Sequence, residues 1–164
     1  MTAAPWRAPS ARRRWEILRR SRAVAIVGAS SNPARPSYFV ATYLLSSSTN
    51  YTVWLVNPAE TEILGRPVFP SLAELPGPPD VVDVFRRPAD LPAVASEAVA
   101  VRATTFWAQL GLHSDKAVDI AWSAGLDVVT NRCIKIEHAR FAGGLHLAGF
   151  DSGVISSRRS RLLD

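Results

Sequence analysis

The sequence predicts a single three-layer α/β domain built on a doubly wound parallel sheet. Two observations carry that prediction. Short runs rich in β-branched apolar residues, continuous in Ala23–Val27 and broken only by Asp83 in residues 81–85, do not alternate, as strands covered on both faces do not. Segments with helical spacing lie between them, and strands alternating with helices imply parallel pairing through right-handed crossovers. At 164 residues and 48% apolar composition, the chain suffices for one core of this kind.

The elements follow in order. Residues 2–9 are rich in Pro and Ala and read as unstructured. Ser10 is placed to cap a short helix reaching about residue 20, with Trp15 and Leu18 as an apolar pair that docks on the sheet. Ala23–Val27 is the first strand and ends at Gly28. Ser30, Ser31 and Asn32 supply turn and cap chemistry, residues 37–46 read as a helix, and residues 51–56 as a second strand closed by Asn57-Pro58. That stretch is the size of one βαβ unit. Residues 67–69 form a brief strand, residues 71–75 a short helical segment, and the prolines of residues 76–79 break the chain. Residues 81–85 are a strong strand, 91–101 a helix and 104–110 a strand ending at Gly111. Ser114 caps a helix that Gly125 terminates, residues 126–130 are the last clear strand, and residues 135–142 are helical. The chain thus divides into an Arg-rich leader (1–22), the α/β domain (23–142) and a Gly- and Arg-containing tail (143–164), which pairs as an extra edge or stays loose.

Charge and cysteine content narrow the function classes. The net charge is +5. Residues 1–22 hold seven arginines against Glu16, a net +6, and the remaining 12 basic and 13 acidic residues give −1. The basicity is therefore assigned to the leader: either an arm for nucleic-acid phosphates or a solvated helix face. No apolar stretch approaches the roughly 20 residues of a membrane span. The basic start is not followed by the apolar region of a signal peptide. Cys133 is the single cysteine, which excludes a disulfide framework and a multi-cysteine metal site. A soluble cytoplasmic protein is expected.

In an open parallel sheet the ligand crevice lies beyond the carboxyl ends of the strands, where the strand order reverses. That rule selects residues 28–37, Asn57-Pro58, residues 85–88, residues 109–113 and residues 130–133. In the first loop, Gly28 is expected to let backbone approach a ligand, Ala29 and Ser30 to keep the turn narrow, and outward amides to accept a phosphate. The loop is neither a Walker A motif nor a complete G-x-G-x-x-G, and a tight structural turn is the alternative. Arg35 lies in the same loop and Arg86-Arg87 at another strand end, where guanidinium groups pair with phosphate. Asn57 replaces the acidic residue by which NAD-binding domains hold the ribose, which suits a nucleotide carrying extra phosphate. NADP stays possible. No nucleophile elbow, Ser/His/Asp set or metal-ligand spacing is present; His113 and His138 read as incidental and structural. Cys133, near Arg132 and Lys135, is either a reactive thiol or a plain buried cysteine.

These residues fall in an ordered set of motifs. They are Val-Gly-Ala-Ser at 27–30 with Arg35-Pro36-Ser37, Val56-Asn57-Pro58, Leu-Gly-Arg-Pro-Val-Phe at 64–69 and Asp-Val-Phe-Arg-Arg-Pro at 83–88. Trp-Ala-Gln-Leu-Gly at 107–111 and Asn-Arg-Cys-Ile-Lys-Ile-Glu-His at 131–138 complete it. Over about residues 10–141 the chain resembles the small stand-alone CoA-binding proteins of bacteria, related to the CoA-binding domain in the α subunit of succinyl-CoA synthetase. The resemblance implies a Rossmann-like fold with coenzyme A across the strand ends. It implies that Gly28, Ala29 and Ser30 contact the phosphates with Arg35 and Ser37 nearby, and that Asn57 and Pro58 border the nucleotide. Phe85, Arg86, Arg87 and Pro88 would follow the pantetheine or phosphate path, and Trp107, Gln109 and Gly111 the far side. Asn131 and Cys133 close the set at the last strand end. The synthetase also needs a phosphorylated histidine in a separate domain and a nucleotide-grasp partner, so ligase activity does not carry over. The leading expectation is a non-catalytic CoA or acyl-CoA binding module acting as carrier, sensor or partner subunit, with a homo-oligomer left open. The competing readings are an NADP-dependent oxidoreductase using the same crevice and a nucleic-acid-associated protein working through the leader.

Overall fold

A computed structural model describes residues 3–47 and 49–142; the predicted tail lies outside the described residues. The elements run α1 (Ala11–Arg20), β1 (Ala23–Val27), α2 (Pro36–Leu44), β2 (Thr52–Val56), β3 (Glu62–Ile63), β4 (Arg66–Phe69), β5 (Val81–Val84), α3 (Leu91–Ala100), β6 (Thr105–Ala108), α4 (Asp115–Ser123), β7 (Asp127–Val129) and α5 (Ile134–Ala142). Each expected strand and helix of the domain is present, most a residue or two shorter at an end. The seven strands order as β3-β4-β2-β1-β5-β6-β7. All pairings are parallel except β3 with β4, which form a hairpin. The sheet is Rossmann-like: the chain winds outward from β1 to β4, then returns to β1's other side and winds outward again through β5, β6 and β7.

Local chemistry sets the helix boundaries. The Ser10 hydroxyl accepts from the Arg13 amide and the Ser114 hydroxyl from the Ala117 amide, capping α1 and α4. Proline opens α2 and lies in the first turn of α3, where its missing N–H costs nothing. At the end of α4, Gly125 adopts φ +90° and the Leu126 amide donates back to the Ala121 carbonyl, a Schellman closure.

Two apolar layers sandwich the sheet. One joins Ala25, Val82, Val84, Phe106 and Val128 to α3 and α4. The other joins Val24, Ile26, Val81, Trp107 and Val129 to Ile17 and Leu18 of α1, Val40 and Leu44 of α2, and Ile134 and Phe141 of α5. In α1 the buried side chains are Ala11, Arg14, Ile17 and Leu18, while Trp15 is half-buried and carries Arg19 over its ring.

Three of the five arginines of α1 have acidic partners on the domain. Arg14 Nε donates to Glu137 Oε2 at 3.0 Å. Arg13 makes a bidentate pair with Asp127 at 3.0 and 2.9 Å, and Arg20 reaches the same carboxylate. Ahead of α1, Trp6 donates its indole N–H to the Val128 carbonyl of edge strand β7, and Trp122 donates to the Ala4 carbonyl. The segment therefore covers an edge that would otherwise expose unpaired backbone. No helix among the described residues is long and apolar enough to cross a membrane.

Candidate functional site

The order of strands places the switch of winding direction at β1, between β2 and β5, and the crevice belongs beyond those carboxyl ends. A cavity of about 960 Å³ opens there. Of the residues singled out in the sequence, Gly28, Ser30, Arg35, Ser37, Asn57, Phe85, Arg86, Arg87, Pro88, Gln109 and Cys133 line it. Gly28, Ser30, Arg35 and Ser37 come from the β1–α2 connection, the arginine pair from the end of β5, Gln109 from the end of β6 and Cys133 from the start of α5.

The others lie outside the cavity. Ala29 and Trp107 are fully buried in the core beneath it, and the Trp107 indole donates to the Arg132 carbonyl. Gly111 and Asn131 bind each other, the Gly111 amide donating to Asn131 Oδ1 at 2.7 Å. Pro58 is exposed beside the cavity without lining it. His113 is held by Thr130 and Asp115, and His138 by the Tyr43 hydroxyl at 2.8 Å, with burial pushing the His138 imidazole below its ordinary pKa. Neither histidine lines the cavity.

The first loop is built differently from the sequence expectation. Gly28 has φ +83°, and a Cβ there would lie 2.3 Å from the Phe85 carbonyl oxygen. Glycine is required because the loop crosses the end of β5, whatever ligand comes near. The amides of Gly28 and Ala29 both donate to the Val56 carbonyl, and the Ser31 amide to Glu60 Oε1. The Ser30 amide is the one in residues 28–32 that has no protein partner among the described residues. Asn57 acts as a brace: its Nδ2 donates to the Ala29 carbonyl at 2.8 Å and its Oδ1 accepts from the Ala59 amide.

The charge of the cavity is one-sided. Arg35, Arg86, Arg87 and Lys135 line it and, among the described residues, no acidic residue does. Arg35 and Lys135 have no acidic partner among the described residues. Arg87 is clamped by Asp90, which does not line the cavity, at 3.1 and 3.4 Å, and Arg86 approaches the same carboxylate at 3.9 Å. The hydrogen bond from Arg87 holds the Asp90 carboxyl below its usual pKa. At the far end, Gln109 is 5% exposed; its Oε1 accepts from the Ile134 amide at 2.9 Å and its Nε2 approaches Cys133 Sγ at 3.9 Å.

Sequence reasoning missed the apolar lining formed by Phe39, Leu110 and Ile136. Apolar residues in periodic segments read as core, and only the fold shows these three turned outward.

Residues 22–139 match the CoA binding domain family. The chain belongs to that family. The CoA-binding domain is 41% identical over 124 residues to the uncharacterized protein YneT of Bacillus subtilis, covering 76% of this chain and 90% of YneT. A hypothetical protein from Pyrococcus horikoshii is 34% identical with a TM-score of 0.76, covering 84% of this chain and 98% of that one. The fold also recurs in a dinucleotide-forming acetyl-coenzyme A synthetase of Candidatus Korarchaeum cryptofilum, at 22% identity and TM-score 0.59, over 66% of this chain and 26% of the synthetase.

Proposed function

We propose that this CoA-binding domain holds coenzyme A or an acyl-CoA as a non-catalytic module. One observation carries the reading: among the described residues, four cationic side chains and no carboxylate line a cavity at the switch point of the sheet. A ligand with a pyrophosphate and a further phosphate matches that field, because charge-assisted hydrogen bonds to anions are roughly twice as strong as neutral ones. The Ser30 and Ser37 amides supply N–H donors, and the opening turn of α2, which contains no acidic residue, a favourable helix dipole for the pyrophosphate; Pro36 has no N–H and the Arg35 and Tyr38 amides are bonded within the loop. Arg35 approaches from the same loop and Lys135 from the first turn of α5. Arg86 and Arg87 join when the anion draws them from Asp90. Gly28, Ala29, Asn57, Trp107, Gly111 and Asn131 act by shaping the loops rather than by touching phosphate.

The lining argues against chemistry. Ser30, Ser37, Cys133 and Lys135 offer nucleophilic atoms, but among the described residues no histidine or carboxylate lines the cavity to serve them as a base.

Thermal shift and calorimetry against CoA, acetyl-CoA, dephospho-CoA, NAD and NADP test the proposal. A ligand at about 100 times its Kd adds roughly 2.7 kcal/mol of stability. CoA is expected to stabilise the protein, dephospho-CoA less, and Arg35→Ala and Lys135→Ala to weaken both. Stabilisation by NADP with none by CoA overturns the reading.

A further inference from the structure

We infer that the apolar end of this cavity receives the acyl chain of an aliphatic acyl thioester, so that the preferred ligand is a longer-chain acyl-CoA rather than free CoA. The inference rests on the CoA reading above and adds the class of acyl group.

Among the described residues four large apolar side chains are exposed: Phe39 at 59%, Leu64 at 37%, Leu110 at 65% and Ile136 at 44%. A single exposed leucine needs no explanation. Leu64 sits in the tight turn of the β3–β4 hairpin. The other three come from separate elements, α2, the loop after β6 and the first turn of α5, and all three line the same cavity. A concave site whose apolar wall is assembled from three elements is the usual form of a small-molecule pocket.

The wall also lies where the thiol end of the ligand should arrive. Ser30 and Arg35 follow β1, and Arg86 and Arg87 follow its neighbour β5. Leu110 follows β6, one strand further from the switch, and Ile136 lies in the first turn of α5, which packs beside α2, the helix that carries Phe39. A polyanion anchored at β1 and β5 therefore directs its uncharged arm toward Leu110 and Ile136. A free thiol would leave these side chains in water. An alkyl chain covers them, at up to about fourfold in affinity for each methylene removed from water.

Calorimetry with CoA, acetyl-CoA, butanoyl-CoA, hexanoyl-CoA and octanoyl-CoA reads this directly, with 3′,5′-ADP as a probe of the nucleotide end. Affinity is expected to climb along the series. Leu110→Ser and Ile136→Ser, both at exposed positions, are expected to flatten that climb while CoA and 3′,5′-ADP bind as before. A flat series in the unmodified protein overturns the inference. So does a Leu110→Ser variant that weakens CoA and octanoyl-CoA equally, since the wall would then hold the nucleotide or the pantetheine. If CoA itself fails to bind, the proposed function falls; if CoA binds with no dependence on chain length, this inference alone falls.

Discussion

Arg14 and Glu137 form a buried ion pair, Nε to Oε2 at 3.0 Å, that ties α1 to α5. Their side chains are 6% and 3% exposed, so each charge depends on the other rather than on water. Arg132 and Arg140 approach the other Glu137 oxygen at 3.5 and 3.6 Å. Removing one partner of a buried pair strands the other and costs about 3–5 kcal/mol. Glu137 keeps Arg132 and Arg140 when Arg14 is removed, so Arg14→Ala is expected to lower stability in urea denaturation by about the lower end of that range. Arg12→Ala, which removes a side chain 63% exposed that pairs with Glu16, should change it by less than about 1 kcal/mol. Equal, small effects would show that α1 is not fastened to the domain through this pair.

Gly28 yields a second prediction with an unusual control. Left-handed backbone costs a non-glycine residue about 1–3 kcal/mol, and here a Cβ would also meet the Phe85 carbonyl backbone. Gly28→Ala is expected to be strongly destabilised even without ligand, measured by thermal melting of the apo protein. Gly111→Ala faces only the conformational cost, because nothing lies within 4 Å of its Cβ position, and should be milder. If Gly28→Ala melts like the unmodified protein, the crossing of β1 and β5 is not as tight as the structure has it. Loss of CoA affinity in a Gly28 variant is consequently no measure of phosphate contact.

Gly28 also shows what could be read from the sequence. Its place after a buried strand located the crevice, because strand ends follow from apolar runs and punctuation. Its reason could not be read, because the obstructing Phe85 carbonyl is far along the chain. Trp107 and Asn131 sit in conspicuous motifs, yet their partners, the Arg132 carbonyl and the Gly111 amide, lie in neighbouring loops and make them structural. Strand β3 spans two residues, too few to form a pattern, and its turn places Leu64 at φ +53° beside Gly65 at +71° without the usual Asn or Asp signal. Phe39 lies on a helix that is apolar on all sides, so periodicity gave it no direction.

Asp83 predicts a pH dependence. It lies wholly buried on β5, between Ile26 and Trp107 on the flanking strands, and neither carboxyl oxygen has a hydrogen-bond partner among the described residues. Burial pushes its pKa well above 3.8. A raised acid is neutral when folded, so its contribution is complete below the unfolded value and is lost as pH rises through the folded one. Between those limits stability falls by about 1.4 kcal/mol per pH unit. Asp83→Asn removes the titration, and its stability advantage over the unmodified protein is expected to grow from pH 4 to pH 7 in urea titrations. A difference that stays constant with pH would place the charge of Asp83 in an environment that solvates it.

Asp90 gives the most direct handle on binding. Its carboxylate holds Arg87 through two hydrogen bonds and approaches Arg86, so a ligand phosphate must compete with it for both. Its side chain makes no capping bond to α3, so Asp90→Asn removes the competitor without uncapping the helix. The clamp is exposed, and such pairs contribute little to stability; urea denaturation of the variant should be nearly unchanged. CoA should bind the variant more tightly, with the gain shrinking as salt is raised, because freed guanidinium groups act on the anion through a screened field. Because Arg87 holds the carboxyl below its usual pKa, acidification from neutral pH to about 5 leaves the clamp closed, and the unmodified protein gains no affinity from Asp90 over that range. Identical CoA affinities for Asp90→Asn and the unmodified protein would remove Arg86 and Arg87 from the phosphate site and leave Arg35 and Lys135 as its cations.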